Sequence, residues 1–527
     1  MSDTSENTTT IPDTQPSHQP RKESGPVQVA MDSIDTGVGV AEQPGSIRLH
    51  AQRICVIGAG PAGLAVARVF VENKYTSVTV LERNSDIGGV WCYTPDSKSH
   101  YNVPQDSSDH AKQFGYDERS SLTHGFPTAL YDDLHTNLPT DVMRFIDHDF
   151  PESTPEYPSR CHVEQYVRSY ADTHDLHRLI QLNKEVISIK YDAGQKHWEC
   201  KVQDLLSPGL PPKAILYDAV VVCSGRANHP YIPDVPGLRE LAEARPGCIM
   251  AAREYRRATD HCGQSVLVVG GAFSGSDIAR QLSYTAGNVH ISMTKIEKGP
   301  DSEMDKDMPV VGVDGCNPHN MPVIHPRIEC IMPNEILFTD GTAMPIPDCI
   351  IYATGYLYVY PFIDSNNPQS LAYRLPTHHQ HANNELAEAE LPPFTDGHKV
   401  NDMYKYLLYI HNPTLAIFGM PFRIAPFPFY EYQAHYLAHV YKGIVPLPSP
   451  EQMLDEWNKL VAEFPGKKLN EMGMLQIDYR NDLLDTVDRF SESKSDSGKR
   501  LHRVERDSAW ADRCFNTLVN RKRHLGY

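Results

Sequence analysis

The amino-acid sequence predicts an α/β protein built on two dinucleotide-binding Rossmann-like domains. Two observations carry this reading: a strand, glycine turn, helix and acid-ended second strand between Arg53 and Arg83, and a second strand, turn and helix of the same form 212 residues later, from Ser265 to Arg280. A third is the length of 527 residues, which exceeds what one hydrophobic core usually organises.

Composition narrows the class. A content of 40% hydrophobic and 9% aromatic residues suits a globular enzyme. The formal charge of −18, from 49 basic and 67 acidic side chains, argues against a nucleic-acid partner, because no long cationic run offsets it. Eleven scattered cysteines form neither a Cys-x-x-Cys pair nor a zinc spacing, and read as reduced thiols of a cytoplasmic protein. His319, His325 and Asp314 are too irregularly placed for a metal site, so none is expected. Residues 1–49, rich in Ser, Thr, Asp, Pro and Gln, read as a disordered tail. No apolar run is long enough for a signal peptide or a membrane anchor.

The first turn has a residue-level logic. Gly58 lets the chain turn sharply out of its strand, and Gly60 leaves room for a pyrophosphate against the backbone. Pro61 and Ala62 open the helix, and Gly63 lets it pack close to the strand. The phosphates of a dinucleotide then face the helix N-terminus. Glu82, nineteen residues after Gly63 and followed by Arg83, stands where a carboxylate takes the ribose hydroxyls. The turn Gly88-Gly89-Val90-Trp91 comes directly afterwards.

This succession resembles the flavin-containing monooxygenases, a family of class B flavoprotein monooxygenases in which a Gly-Gly-x-Trp turn after the ribose acid runs along FAD. The resemblance covers residues 50 to about 490. It implies a glutathione-reductase-like two-domain flavoprotein with the NADP domain inserted in the FAD domain. The boundaries expected are 50–228 for the first part of the FAD domain, 229–334 for the NADP domain, and 335–527 for the second part of the FAD domain with a C-terminal helical extension. By the same resemblance Gly89, Val90 and Trp91 lie along FAD. Leu134-His135-Thr136-Asn137-Leu138-Pro139 is similar to the family's stretch whose asparagine contacts both flavin and nicotinamide, which makes Asn137 the catalytic candidate and Thr136 a cofactor contact.

The later elements follow in order. Residues 163–174 space their apolar side chains as an amphipathic helix does, and 185–191 with 197–202 read as a hairpin. Residues 217–225 form a buried strand ending in small residues, and the proline-rich passage after His229 reads as a domain crossing. In the second turn Gly270, Ala272, Ser274 and Gly275 take the places of the first, with Gly271 adjacent. No acid ends the following strand; Lys295 lies there and would pair with a 2′-phosphate, so NADPH is preferred to NADH. The family's signature falls on residues 245–256, which keep Gly247, Tyr255 and Arg256 but carry Arg245 and Ala251 in place of its Phe and His. Arg256 is the second candidate for the 2′-phosphate.

Residues 335–342 give a hairpin signal. Cys349–Tyr356 resembles the strand by which the family returns to the flavin domain, with Thr354 and Gly355 packed against the cofactor. Residues 413–419 read as a last buried strand, and a helix is expected from Phe429 to Tyr441. In the resembling flavoproteins that helix begins beneath the flavin pyrimidine, which makes Gln433 a contact.

Together the resemblance implies that FAD takes a hydride from NADPH, reacts with dioxygen to a C4a-hydroperoxide and delivers one oxygen to a soft nucleophile, an amine nitrogen or sulfide sulfur of a small molecule. Two alternatives stay open: a Baeyer–Villiger monooxygenase acting on ketones, and a non-catalytic binding protein on the same scaffold. The oligomeric state, a homodimer included, is not fixed by the sequence.

Overall fold

Strand Arg53–Ile57 is apolar on both faces, the pattern of a central parallel strand covered on both sides. It pairs in parallel with Ser77–Leu81 on one side and Ala219–Val222 on the other. The computed structural model, which describes residues 45–95, 101–107, 126–294, 316–372, 391–491 and 500–525, extends this trio to a seven-stranded sheet. Its order is Met403–Tyr404, Leu408–Tyr409, Leu415–Ile417, Ala219–Val222, Arg53–Ile57, Ser77–Leu81 and Ile180–Gln181. A second, five-stranded sheet runs Val323–His325, Asn288–Ser292, Ser265–Val269, Cys349–Tyr352 and Ile249–Ala251, every pair parallel.

The helices, in chain order, are α1 (Pro61–Glu72), α2 (Thr140–Met143), α3 (Arg160–Thr173), α4 (Leu238–Ala244), α5 (Phe273–Leu282), α6 (Pro426–Tyr441), α7 (Pro450–Glu463), α8 (Leu475–Phe490), α9 (Ala509–Phe515) and α10 (Thr517–Leu525). None in the described residues is long and apolar enough to cross a membrane. Helix α1 is buried from Pro61 to Phe70, because the sheet covers one side and α6 the other. The expected hairpin is present as Lys184–Asp192 paired with His197–Asp204.

Two expectations need correction. The return to the first sheet does not begin at 335. Cys349–Tyr352 is fully apolar and buried because it lies inside the second sheet, between Ser265–Val269 and Ile249–Ala251. The hairpin at Glu335 belongs to a small antiparallel sheet that lays Ile336 and Phe338 on one face of that second sheet. The chain crosses between the two units on an antiparallel ribbon of His229–Pro230 and Tyr356–Leu357. Helix α6 starts at Pro426 rather than Phe429; Pro426 and Pro428 fit its first turn, where the missing N–H groups would have had no intrahelical partner.

One buried charge cluster locks α1, α3 and α6 together. Glu431 has no solvent exposure, and its carboxylate accepts from Arg68 at 3.2 Å, Tyr170 at 2.9 Å and the Ile146 N–H at 2.6 Å. Glu431→Ala removes the acceptor of Tyr170 and the Ile146 N–H and the buried counter-charge of Arg68, and should lower the unfolding free energy by about 3–5 kcal/mol in urea titrations. Glu431→Gln, which keeps an acceptor, should cost less. A loss below about 1 kcal/mol for the alanine variant contradicts this account.

Candidate active site

Both dinucleotide turns sit at the C-terminal ends of central parallel strands, where a doubly wound sheet opens its crevice. Gly58 and Gly270 have φ of +106° and +112°, values that glycine alone adopts without strain. A Cβ on Gly63 would lie 1.9 Å from the Gly58 carbonyl oxygen, and one on Gly275 would lie 1.9 Å from that of Gly270. In each turn, therefore, helix and strand are in backbone contact.

The middle positions differ for a physical reason. Gly60 and Ala272 share one N-cap conformation, φ/ψ −76°/−178° and −77°/−175°, which any residue tolerates. Gly60 must lack a side chain because the Gly88-Gly89 turn folds over it; a Cβ would meet the Gly89 Cα at 3.3 Å. Gly88 N–H donates to the Ala59 carbonyl at 3.0 Å and fixes that fold. No such turn covers Ala272. Gly271 faces Met293 instead, whose side chain would lie 2.7 Å from an added Cβ. In strand register Met293 takes the position that Glu82 holds in the first turn.

Glu82 braces the first turn: its carboxylate accepts from the Ala59 N–H at 2.7 Å and the Asn84 N–H at 2.8 Å. Burial pushes its pKa up, and these two N–H groups oppose the shift. Arg83 lies over the Phe126 ring at 4.2 Å. Val90 is exposed, and Trp91 packs edge-on against Phe427 at the start of α6, ring centres 6.4 Å apart. No side chain caps α1 or α5 and neither has an acid in its first turn, so the N–H groups behind both turns have no side-chain partner. Ser274, on the first turn of α5, is exposed.

Thr136 and Asn137 lie on a segment that spans the two units. Tyr131 and Leu134 pack in the second core, Leu138 in the first. The Asn137 carboxamide is half-buried and makes no hydrogen bond within the described residues. Its backbone is held from the far end of the chain: the Thr517 hydroxyl donates to the Asn137 carbonyl, and Arg521 Nε donates to the Thr136 carbonyl at 3.0 Å. Arg521 also faces Asp277 of α5 at 3.4 Å, and Tyr131 donates to the same carboxylate at 2.7 Å. Burial works against the Asp277 charge, but Arg521 and Arg280 outweigh it and hold its carboxyl below the ordinary value. The Thr136 hydroxyl is engaged with the Leu138 carbonyl at 2.8 Å.

Four expected contact residues fall elsewhere. Arg256 is buried and spends its guanidinium on the carbonyls of Thr94, Arg253, Tyr255 and Thr128, all within 3.0 Å, so it ties loops together and offers nothing to a phosphate. Gln433 is the eighth residue of α6 and points to the outer layer, donating to the Tyr479 hydroxyl on α8 at 2.9 Å. Thr354 and Gly355 belong to the second turn, not to the flavin side: Gly270 packs on Ala353 and Thr354 just as Gly58 packs on Cys223 and Ser224. Lys295 lies outside the described residues. Ala251 is fully buried in its strand, and its N–H donates to the Tyr101 hydroxyl at 2.8 Å.

The family profile described as flavin-binding monooxygenase-like matches residues 116–299, and that of the NAD(P)-binding Rossmann-like domain matches 56–110. Flavin-containing monooxygenase FMO GS-OX4 of Arabidopsis thaliana is 28% identical over 451 residues, 83% of this chain and 84% of the relative. FMO GS-OX5 of the same plant is 29% identical over 452 residues, 83% and 85% of the two chains. Over most of its length the chain is similar to flavin-containing monooxygenases. In structure, S-allyl-L-cysteine S-oxygenase from Allium sativum shares the fold with a TM-score of 0.64 at 24% identity, over 92% of this chain and all of that one. Tmm from Pelagibacter sp. strain HTCC7211 shares it with a TM-score of 0.59 at 24% identity, over 85% and 89%.

The residues fit FAD and NADPH, the cofactors this similarity supports: two backbone cradles of small residues, each before an uncapped helix, and one ribose-type acid, in the first turn only. Thr517 and Arg521 carry no signal in the sequence, where the C-terminal run reads as a polar tail; only tertiary packing brings it to Asn137. Gly60→Val should give folded protein with little flavin, read as visible absorbance per protein together with circular dichroism. Full flavin content in that variant removes the assignment of this turn.

Proposed function

We propose that this chain is a flavin-containing monooxygenase that transfers one atom of dioxygen to a soft nucleophile of a small molecule, a sulfide sulfur or an amine nitrogen, with NADPH as electron donor. The observation that carries the reading is the free carboxamide of Asn137, on a segment packed into both dinucleotide units. FAD bound at the first turn, once reduced by NADPH, supplies the oxygen-transfer chemistry.

The chain's own residues then have distinct tasks. Gly58, Gly60 and Gly63 admit the FAD pyrophosphate to the end of α1, and Glu82 is placed for the adenosine ribose. Gly270, Ala272 and Gly275 do the same for NADPH, where Met293 in place of an acid removes a charge that would repel a 2′-phosphate; Lys295 is the sequence-based candidate to pair with it. Asn137 offers a donor and an acceptor without charge, which suits a neutral substrate head and a nicotinamide amide together. Thr517 and Arg521 hold its backbone, and the Trp91–Phe427 contact helps close the flavin edge to water. The cytoplasm is the proposed location, on the cysteine usage of the sequence alone.

Asn137→Ala should keep bound FAD and its reduction by NADPH, because the turns are untouched, while product formation falls more than about tenfold, equal to ~1.4 kcal/mol of lost transition-state stabilisation. The measurement is single-turnover product yield beside anaerobic flavin reduction, with a sulfide, an amine and a ketone as substrates. Wild-type yield from the variant, or ester formation from the ketone as the main reaction, contradicts the proposal.

A further inference from the structure

Arg226 lies two residues after Ser224, which with Cys223 packs against the first turn. It is half-buried, yet among the described residues it makes no ion pair. The buried Arg256 and Arg480 likewise have no ion pair among the described residues, but carbonyls surround the first and the rings of Tyr432 and Trp510 the second. Arg68 reaches Glu72 and Glu431, Arg280 reaches Asp277, and Arg513 reaches Asp141 and Glu156. A guanidinium drawn partly out of water keeps its charge and its five N–H donors, more than the one phenol it reaches, that of Tyr358, can take up.

Its surroundings are aromatic rather than acidic. Phe422 lies across it, with the guanidinium carbon 5.3 Å from the ring centre. The phenols of Tyr358, Tyr360 and Tyr430 are close enough to feel its charge: burial raises all three, and Arg226 opposes that rise in each, leaving Tyr430 at about 12. Tyr358 donates to the Met420 carbonyl at 2.6 Å, beside Gly419, and accepts from Arg226, while Tyr430 stands on the second turn of α6. The cation therefore lies among aromatic side chains near the strand ends at Val222 and Ile417 and the start of α6, beside the first turn.

We propose that Arg226 is a specificity-determining residue that binds a carboxylate carried by the substrate, so that the preferred substrates are anionic thioethers or amines whose apolar part lies along the tyrosines. The planar guanidinium presents paired donors that match a carboxylate, and the aromatic side chains around it suit an apolar chain between that anion and the soft nucleophile. This rests on the oxygen-transfer reading above. No bond is made or broken at Arg226; it orients.

The test compares two probes of one shape, 3-(methylthio)propionate and its primary amide. With wild-type holoenzyme the acid should exceed the amide in kcat/KM by about tenfold or more, and calorimetry on the oxidised enzyme should show the same preference in binding. Arg226→Gln, checked for flavin content and circular dichroism, should bring both ratios close to one, and Arg226→Lys should keep part of the preference. A wild-type enzyme indifferent to the charge overturns the proposal. So does an unchanged ratio in Arg226→Gln, or an effect confined to NADPH affinity or flavin reduction, which would place a cofactor against the guanidinium. If neither probe is oxidised, the oxygen-transfer reading fails, and the binding ratio still decides the role of Arg226.

Discussion

The carbonyl oxygens of Gly58 and Gly270 occupy the space where residues 63 and 275 would carry a Cβ. This contact sets how closely each helix approaches its strand, and the position of each uncapped N-terminus follows from it. Any side chain at 63 or 275 would force helix and strand apart and carry the first-turn N–H groups away from the crevice. The sheets, the ribbon that joins them and the long helix α6 hold these two contacts in place at the ends of their parallel strands.

Features with a local cause were legible in the sequence. Positive-φ glycines, strand-turn-helix order and the acid at Glu82 follow from a few neighbouring residues, and the structure places them as expected. Even the substitution of Ala272 for glycine becomes intelligible, since the turn that crowds Gly60 has no counterpart there. What local pattern leaves open is which way a side chain faces once layers pack. Arg256 and Gln433 had suitable chemistry at suitable distances along the chain, yet one is consumed by loop carbonyls and the other faces α8. The boundary near 335 failed for a similar reason: a hairpin signal says nothing about the sheet it covers. Arg226 had a signal that went unread, a cation directly after the small residues that end a buried strand.

The C-terminal helices add a constraint from the opposite end of the chain. Arg521 joins the Thr136 carbonyl to Asp277, and Tyr131 and Gln281 reach the same carboxylate. This buried network ties the Asn137 segment to the helix behind the second turn, so the distance between the two dinucleotide sites depends on α10 as well as on the ribbon. Buried networks of this kind fix geometry more than they add stability.

The central claim is a division of labour: the first turn binds FAD and the second delivers NADPH to it. Anaerobic mixing of an Ala272→Val variant with NADPH tests this most directly, because Ala272 is exposed and its backbone conformation admits a branched residue. The account predicts normal flavin content with flavin reduction slowed or lost. Loss of flavin, or reduction at the wild-type rate, would contradict it.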